Sequence, residues 1–170
     1  MLLVIFAAVL VQAFIPMHGG SAICCPEYWT EYRGNCYRVF GQALTWQDAD
    51  NYCQYSSGAP RGAAHLVSLH SQGESNFVKN LWNTITDNKV VEAVWRNMYW
   101  IGLNDIYHEG SFVYSDYSSY DFNNFHAGEP NNSGNQDCIV VWDYQKNGRA
   151  TWDDQQCYNK HAFVCKMPKH

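Results

Sequence analysis

The chain has 170 residues, 46% of them hydrophobic and 16% aromatic, and a formal charge of -5, which suits one compact domain with a substantial aromatic core. The acidic balance argues against nucleic acid as a partner. Seven cysteines without any CxxC spacing point to disulfides in an oxidising compartment and away from metal–thiolate sites.

Residues 2 to 15 form an apolar run too short for a comfortable membrane span, followed by Pro16 and the small residues Gly19, Gly20, Ser21 and Ala22. This reads as a secretory signal cleaved after Ala22, although no Lys or Arg precedes the run. The expected organisation is a signal peptide over 1–22 and one domain over 23–170, secreted and extracellular, with no membrane span. Residues 1–22 contain no charged side chain, so the mature domain keeps the whole charge and all seven cysteines. Three bridges leave one thiol over, and the adjacent Cys24 and Cys25 are the place to look for a cysteine that pairs with another chain.

Alternation in Cys36-Tyr37-Arg38-Val39-Phe40 suggests a short hairpin closed by a local disulfide. Thr45 is then a helix N-cap with Asp48 three residues on. Trp46, Ala49, Tyr52 and Cys53 recur at helical spacing before Gly58 and Pro60 end the run. A second helix begins at Ser71, which forms a capping box with Glu74, and Phe77, Val78, Leu81, Trp82 and Ile85 line one face. Residues 86–97 fit a helix extension or a loop equally well. Beyond them come strand-like runs at Tyr99–Leu103, Phe112–Tyr114, Cys138–Trp142 and His161–Cys165, giving an α+β pattern of two helices followed by short strands.

The stretch from Gly110 to Gln136 is long, polar and aromatic without periodicity, the kind of loop that carries function. Within it and just after it, Glu129, Asn131, Gln136, Asp153 and Asp154 offer side-chain oxygens with little aliphatic bulk, the donor chemistry that Ca²⁺ takes. A polar surface loop is the plain alternative for this stretch taken alone.

Trp29, Cys36-Tyr37, Cys53, Trp100-Ile101-Gly102-Leu103, Glu129-Pro130-Asn131, Asp137-Cys138, Trp152-Asp153-Asp154, Cys157 and Cys165 together resemble a C-type lectin domain covering residues 23 to 170. The resemblance implies the C-type lectin fold, with antiparallel strands and a long calcium-binding loop region. It also implies disulfides between Cys25 and Cys36, Cys53 and Cys165, and Cys138 and Cys157, leaving Cys24 unpaired. The opening Cys-Cys-Pro further resembles the secreted echinoidin-like members, which implies a disulfide-linked homodimer through Cys24.

By the same resemblance, Glu129, Asn131, Gln136, Asp153 and Asp154 form the main calcium site, with the backbone carbonyl of Asp154 completing the shell. The family commonly has Glu where this chain has Gln136 and Asn where it has Asp153. The two departures offset in charge, because Glu129, Asp153 and Asp154 still total -3. An auxiliary ion site is implied at Asp105, Glu109, Asn132, Gln136 and Asp137, weakened by the neutral Asn132 and Gln136; solvated surface carboxylates are its alternative.

A protein-bound Ca²⁺ with open positions accepts two neighbouring sugar hydroxyls while the side chains holding it hydrogen-bond the same hydroxyls. Glu129, Asn131, Gln136 and Asp153 are the expected carbohydrate-binding residues. Glu-Pro-Asn implies mannose- or fucose-type glycans, whereas the exchanged polarity of Gln136 and Asp153 leaves galactose open. Asn131-Asn132-Ser133 is also an N-glycosylation sequon, expected to stay unoccupied because a glycan on Asn131 would block the ion site. Two other classes compete: a glycosidase using Glu129, Asp153 and Asp154 as acid and base, and an adhesion, mineral-associated or ice-binding protein without a sugar ligand.

Overall fold

Hydrophobic alternation on three neighbouring strands explains the architecture. The computed structural model describes residues 24–58, 64–86, 98–142 and 150–169. The expected signal peptide at 1–22, Pro60, and the undecided segment 86–97 beyond Thr86 lie outside the described residues. Strands β1 (Thr30–Tyr32), β2 (Asn35–Leu44), β3 (His65–Leu66), β4 (Met98–Asn104), β5 (Val113–Tyr114), β6 (Cys138–Trp142), β7 (Thr151–Gln155) and β8 (His161–Pro168) form one sheet among the described residues. Its main order is β1-β2-β8-β4-β6-β7, with β3 paired to β8 and β5 to β4.

On β4, Tyr99, Ile101 and Leu103 enter one apolar cluster and Trp100 the other; on β6 Ile139 and Val141 oppose Cys138 and Val140; on β8 Ala162 and Val164 oppose Phe163 and Cys165. A strand buried on both faces reads as a continuous apolar run, which is how these segments look in sequence. Helix α1 (Trp46–Ser56) covers one face with Trp46, Ala49 and Cys53, and α2 (Gln72–Thr86) covers the other with Val78 and Trp82. The strand pairs are antiparallel as expected except β4 with β8, which run parallel at Tyr99↔Ala162 and Trp100↔Phe163. This central pairing joins the carboxyl-terminal strand to the middle of the chain, so the sheet is mixed. Gly102 is required where β4 passes β3, because a Cβ there would lie 2.8 Å from the Leu66 carbonyl oxygen.

Both helix starts form where expected, with one change of partner. Thr45 caps α1 by accepting the Asp48 N–H at 3.3 Å, and the helix stops at Ser56, before Gly58. Ser71 caps α2 by accepting the Glu74 N–H at 3.2 Å, but the Glu74 carboxylate does not close a capping box. It accepts the His70 N–H at 2.9 Å, the Tyr37 hydroxyl at 2.6 Å and Lys166 Nζ at 2.7 Å. A buried carboxylate gains more from three donors, one of them a cation, than from a single backbone N–H, so Glu74 ties α2 to β2 and β8. Of the strand-like run Phe112–Tyr114, only Val113 and Tyr114 pair; the amino-terminal hairpin pairs β1 with β2 around Arg33 and Gly34, both at positive φ, and β2 then continues along β8.

The three disulfides are Cys25–Cys36, Cys53–Cys165 and Cys138–Cys157, and Cys24 is free and exposed. Among the described residues no helix is long and apolar enough to cross a membrane.

Candidate functional site

The polar loop is stitched to β7 at two points. Around Trp152, the Trp152 N–H donates to the Asn124 carbonyl and the His126 N–H to the Trp152 carbonyl, each at 2.9 Å. Asn124 also donates its side-chain amide to the Ala150 carbonyl at 2.7 Å. Two residues along the strand, the Asp154 carboxylate accepts the Asn131 N–H at 3.0 Å and the Asn132 N–H at 2.6 Å. The Glu129 N–H donates to the His126 carbonyl at 3.0 Å, the Glu129–Pro130 peptide is cis, and Asn132 and Asn135 take positive φ. The loop therefore folds back on β7 and carries Glu129 to the strand's acidic pair.

The result is a cluster in which Glu129, Asp153 and Asp154 each place a carboxylate oxygen within 4.8 Å of the others. Glu129 is partly exposed, whereas Asp153 and Asp154 are buried in β7, whose register pairs them with Val140 and Ile139. Asn131 stands beside them, donating its amide N–H to Glu129 Oε2 at 2.5 Å and accepting the Ser133 N–H at 2.8 Å. Gln155 donates to Asp153 at 3.2 Å. Burial, a hydrogen bond shared with Asp154, and the nearby charges of Asp153 and Asp154 raise the Glu129 carboxyl above the ordinary carboxylate range. Burial chiefly, with the Asp154 charge adding, raises Asp153. Carboxyl groups that raise one another in this way gain from a shared cation.

Four of the five sequence-predicted main-site residues, Glu129, Asn131, Asp153 and Asp154, are joined by this network. Gln136 is positioned by its backbone, whose N–H donates to Asn132 Oδ1 at 2.8 Å.

The auxiliary set is more loosely gathered. Asp105 donates its N–H to the Asp137 carbonyl at 3.0 Å, and Glu109 accepts the Asn132 amide at 2.6 Å. Asp137 accepts the Asn135 amide at 2.9 Å. Asp105 Oδ2 accepts the Gly110 N–H at 2.8 Å, while its buried Oδ1 has no hydrogen-bond partner. Burial, then the charges of Asp137 and Asp154, raises Asp105. These carboxylates do not reach the mutual proximity of Glu129, Asp153 and Asp154.

Sequence reasoning missed Asn124, His126 and Asn135 as loop-shaping residues. Asparagine tolerates left-handed backbone and bonds neighbouring peptide groups, so Asn123-Asn124 and Asn135 carried the available signal; His126 acts through its backbone and carried none.

The family model for the lectin C-type domain matches residues 42–167. Echinoidin of Heliocidaris crassispina is 35% identical over 151 residues, covering 85% of this chain and 97% of that protein. The alpha-N-acetylgalactosamine-specific lectin of Patiria pectinifera is 36% identical over 165 residues, covering 91% and 93%. Among solved structures, the C-type lectin CEL-I from Cucumaria echinata superposes with a TM-score of 0.73 at 28% identity, covering 86% of this chain and 99% of that one.

Proposed function

The chain belongs to the C-type lectin family, and we propose that it is a secreted, calcium-dependent carbohydrate-binding protein. The family is one of binding domains without catalytic activity, so the chain is not an enzyme, and its clustered carboxylates are read as ligands and not as an acid–base pair. One observation carries the calcium reading: three carboxylates from a loop and a strand converge within 4.8 Å, flanked by Asn131. This set is all oxygen and carries a charge of -3, which suits a hard divalent cation. Glu129, Asn131, Gln136, Asp153 and Asp154 hold the ion; Asp105, Glu109, Asn132 and Asp137 form a weaker auxiliary site.

Bound Ca²⁺ supplies coordination positions for vicinal hydroxyls of a sugar. The protein's own part is to orient the hydroxyl protons. Glu129 and Asp153 accept them, and the Asn131 and Gln136 amides donate toward the oxygens. Glu129 and Asn131, already hydrogen-bonded to each other, supply the adjacent acceptor and donor that favour mannose- or fucose-type glycans. Galactose-type binding is the second reading. It is supported by the exchanged polarity at Gln136 and Asp153 and by the N-acetylgalactosamine specificity of the Patiria relative. The sequon at Asn131 stays unglycosylated in this reading, and intact mass showing a glycan there would count heavily against it.

Secretion follows from the signal-like residues 1–22, and a disulfide-linked homodimer from the exposed, unbridged Cys24. The deciding test is retention on mannose and galactose resins in Ca²⁺, followed by EDTA. Release by chelation is expected; failure to bind either resin, or retention that survives EDTA, overturns the calcium-dependent reading.

A further inference from the structure

Two cavities, of about 700 and 260 Å³, lie side by side and share Gln54, His65 and Tyr117 in their walls. None of Glu129, Asn131, Asp153 or Asp154 lines either one. They form a groove bounded by α1, β3 and the chain around β5, outside the carboxylate cluster.

The charges facing this groove are answered from within the protein. Buried Asp50 accepts from His65 at 3.1 Å, the Leu66 N–H at 2.9 Å, Ser115 Oγ at 2.8 Å and Gln54 Nε2 at 3.0 Å. His70 pairs with Asp121 and Lys166 with Glu74, each at 2.7 Å. Asp116 takes the hydroxyls of Ser68 and Ser118, each at 2.5 Å. The charged groups of the walls thus all have partners within the protein, Asp116 through hydroxyls and a backbone N–H alone, which favours an occupant held by hydrogen bonds and ring contacts over one held by a new ion pair.

The lips have a different character. Tyr107 and Tyr117 are 92% and 93% exposed. Tyr117 is held at φ 61 by its N–H bond to the Tyr114 carbonyl and the Ser118 N–H bond to Asp116. Left-handed backbone is uncommon for a bulky residue, and here it presents a tyrosine at the junction of the two cavities. Flat rings over a polar wall whose charged groups already have partners within the protein match a ligand with apolar C–H faces and many hydroxyls.

We propose that this groove is a second, calcium-independent binding site for a neutral oligosaccharide chain, with Tyr107 and Tyr117 as stacking platforms and Gln54 as a hydrogen-bonding group between them. The site is separate from the Glu129, Asp153 and Asp154 cluster; Tyr107 lies in the chain between Asp105 and Glu109 of the auxiliary set, which EDTA keeps free of Ca²⁺ in the test.

The test is saturation-transfer NMR in EDTA with unbranched neutral hexasaccharides of mannose, glucose and N-acetylglucosamine. At least one should receive saturation from tyrosine ring protons, and backbone amide shifts should change at Leu66 and at 115–118 but not at 131–137. Tyr107→Ala combined with Tyr117→Asn, whose asparagine keeps the left-handed backbone, should weaken binding at least tenfold, the loss of two ring contacts. Glu129→Gln, which removes a carboxylate of the ion cluster without touching the loop clamp, should leave it unchanged. Absence of transfer from all three sugars, equal binding by the tyrosine double variant, or loss in the carboxylate variant would each overturn the proposal. Calcium-dependent retention on a resin would be untouched by any of these results.

Discussion

Asp154 Oδ2 accepts the Asn132 N–H at 2.6 Å, so a residue of the strand proposed to hold the ion also clamps the backbone of the loop. Asp154→Asn should therefore act twice. It removes one ligand charge and turns an amide N–H₂ toward a backbone donor. Calcium affinity should fall by about a hundredfold, and stability in EDTA should fall by roughly 1–2 kcal/mol as a backbone donor loses its acceptor. Glu129→Gln should share the first loss without the second. Calorimetric Ca²⁺ titration beside thermal melts in EDTA separates the two effects; equal melts for both variants would refute the clamp.

Gln136 lies where the family commonly has an acid, and its N–H is already fixed by Asn132. Gln136→Glu should raise the ligand charge from -3 to -4 and tighten Ca²⁺ roughly tenfold, whereas Asp153→Asn should weaken it by a similar factor. Competition with a fluorescent chelator reads both. A looser Gln136→Glu variant would place residue 136 outside the ion's reach.

These sites were legible where the chemistry is local. Thr45 announced a helix because its hydroxyl caps Asp48 three residues away, and Asp153-Asp154 announced ligands because adjacent carboxylates supply the oxygen donors that Ca²⁺ takes. The same two acids hid β7, since they interrupt the apolar signal that marks β6 and β8. Glu74 was misleading for the opposite reason. Its spacing from Ser71 reads as a local cap, yet its partners Tyr37 and Lys166 are 37 and 92 residues away. The parallel pairing of β4 with β8 was equally unreadable, because apolar alternation fixes which face a side chain takes and not which strand lies beside it.

The polarity around the ion should set the sugar. Glu129→Gln with Asn131→Asp keeps the charge of the pair and exchanges its acceptor and donor. A hydrogen bond to a charged group contributes about 1.5–3 kcal/mol, so preference between mannose and galactose should move by at least tenfold toward galactose. Glycan-array binding before and after the exchange measures it. Wild-type binding confined to terminal galactose would reject the mannose reading while leaving calcium dependence intact.

Cys24 is exposed and has no bridge within the chain, while its neighbour Cys25 is tied to Cys36. The purified protein should run as a dimer on non-reducing gels and as a monomer after reduction, and Cys24→Ser should abolish the dimer without lowering the melting temperature. A wild-type monomer, or a dimer that persists in Cys24→Ser, excludes this linkage.

Acid should destabilise the fold in two stages. His161 is buried against Trp100, with ring centroids 4.6 Å apart, and burial lowers its pKa to about 4. The unfolded chain takes up that proton near pH 6.5 and the folded one does not, so the contribution of neutral His161 is intact above pH 6.5 and lost as pH falls toward 4. The full loss is about 3 kcal/mol. Burial also pushes Asp50 and Glu74 upward, but hydrogen bonds from His65 and the Leu66 N–H outweigh it at Asp50, and those from Lys166 and Tyr37 at Glu74. Both carboxylates end below their ordinary values, so their stabilisation is present above the unfolded carboxylate range and disappears at lower pH than the histidine stage. His161→Phe keeps an aromatic ring against Trp100 and removes the titration. The difference between wild-type and variant melts should therefore grow as pH falls from 6.5 to 4 and then level off, while the later loss remains in both proteins. A constant difference across that interval would show that His161 does not sit neutral in the fold.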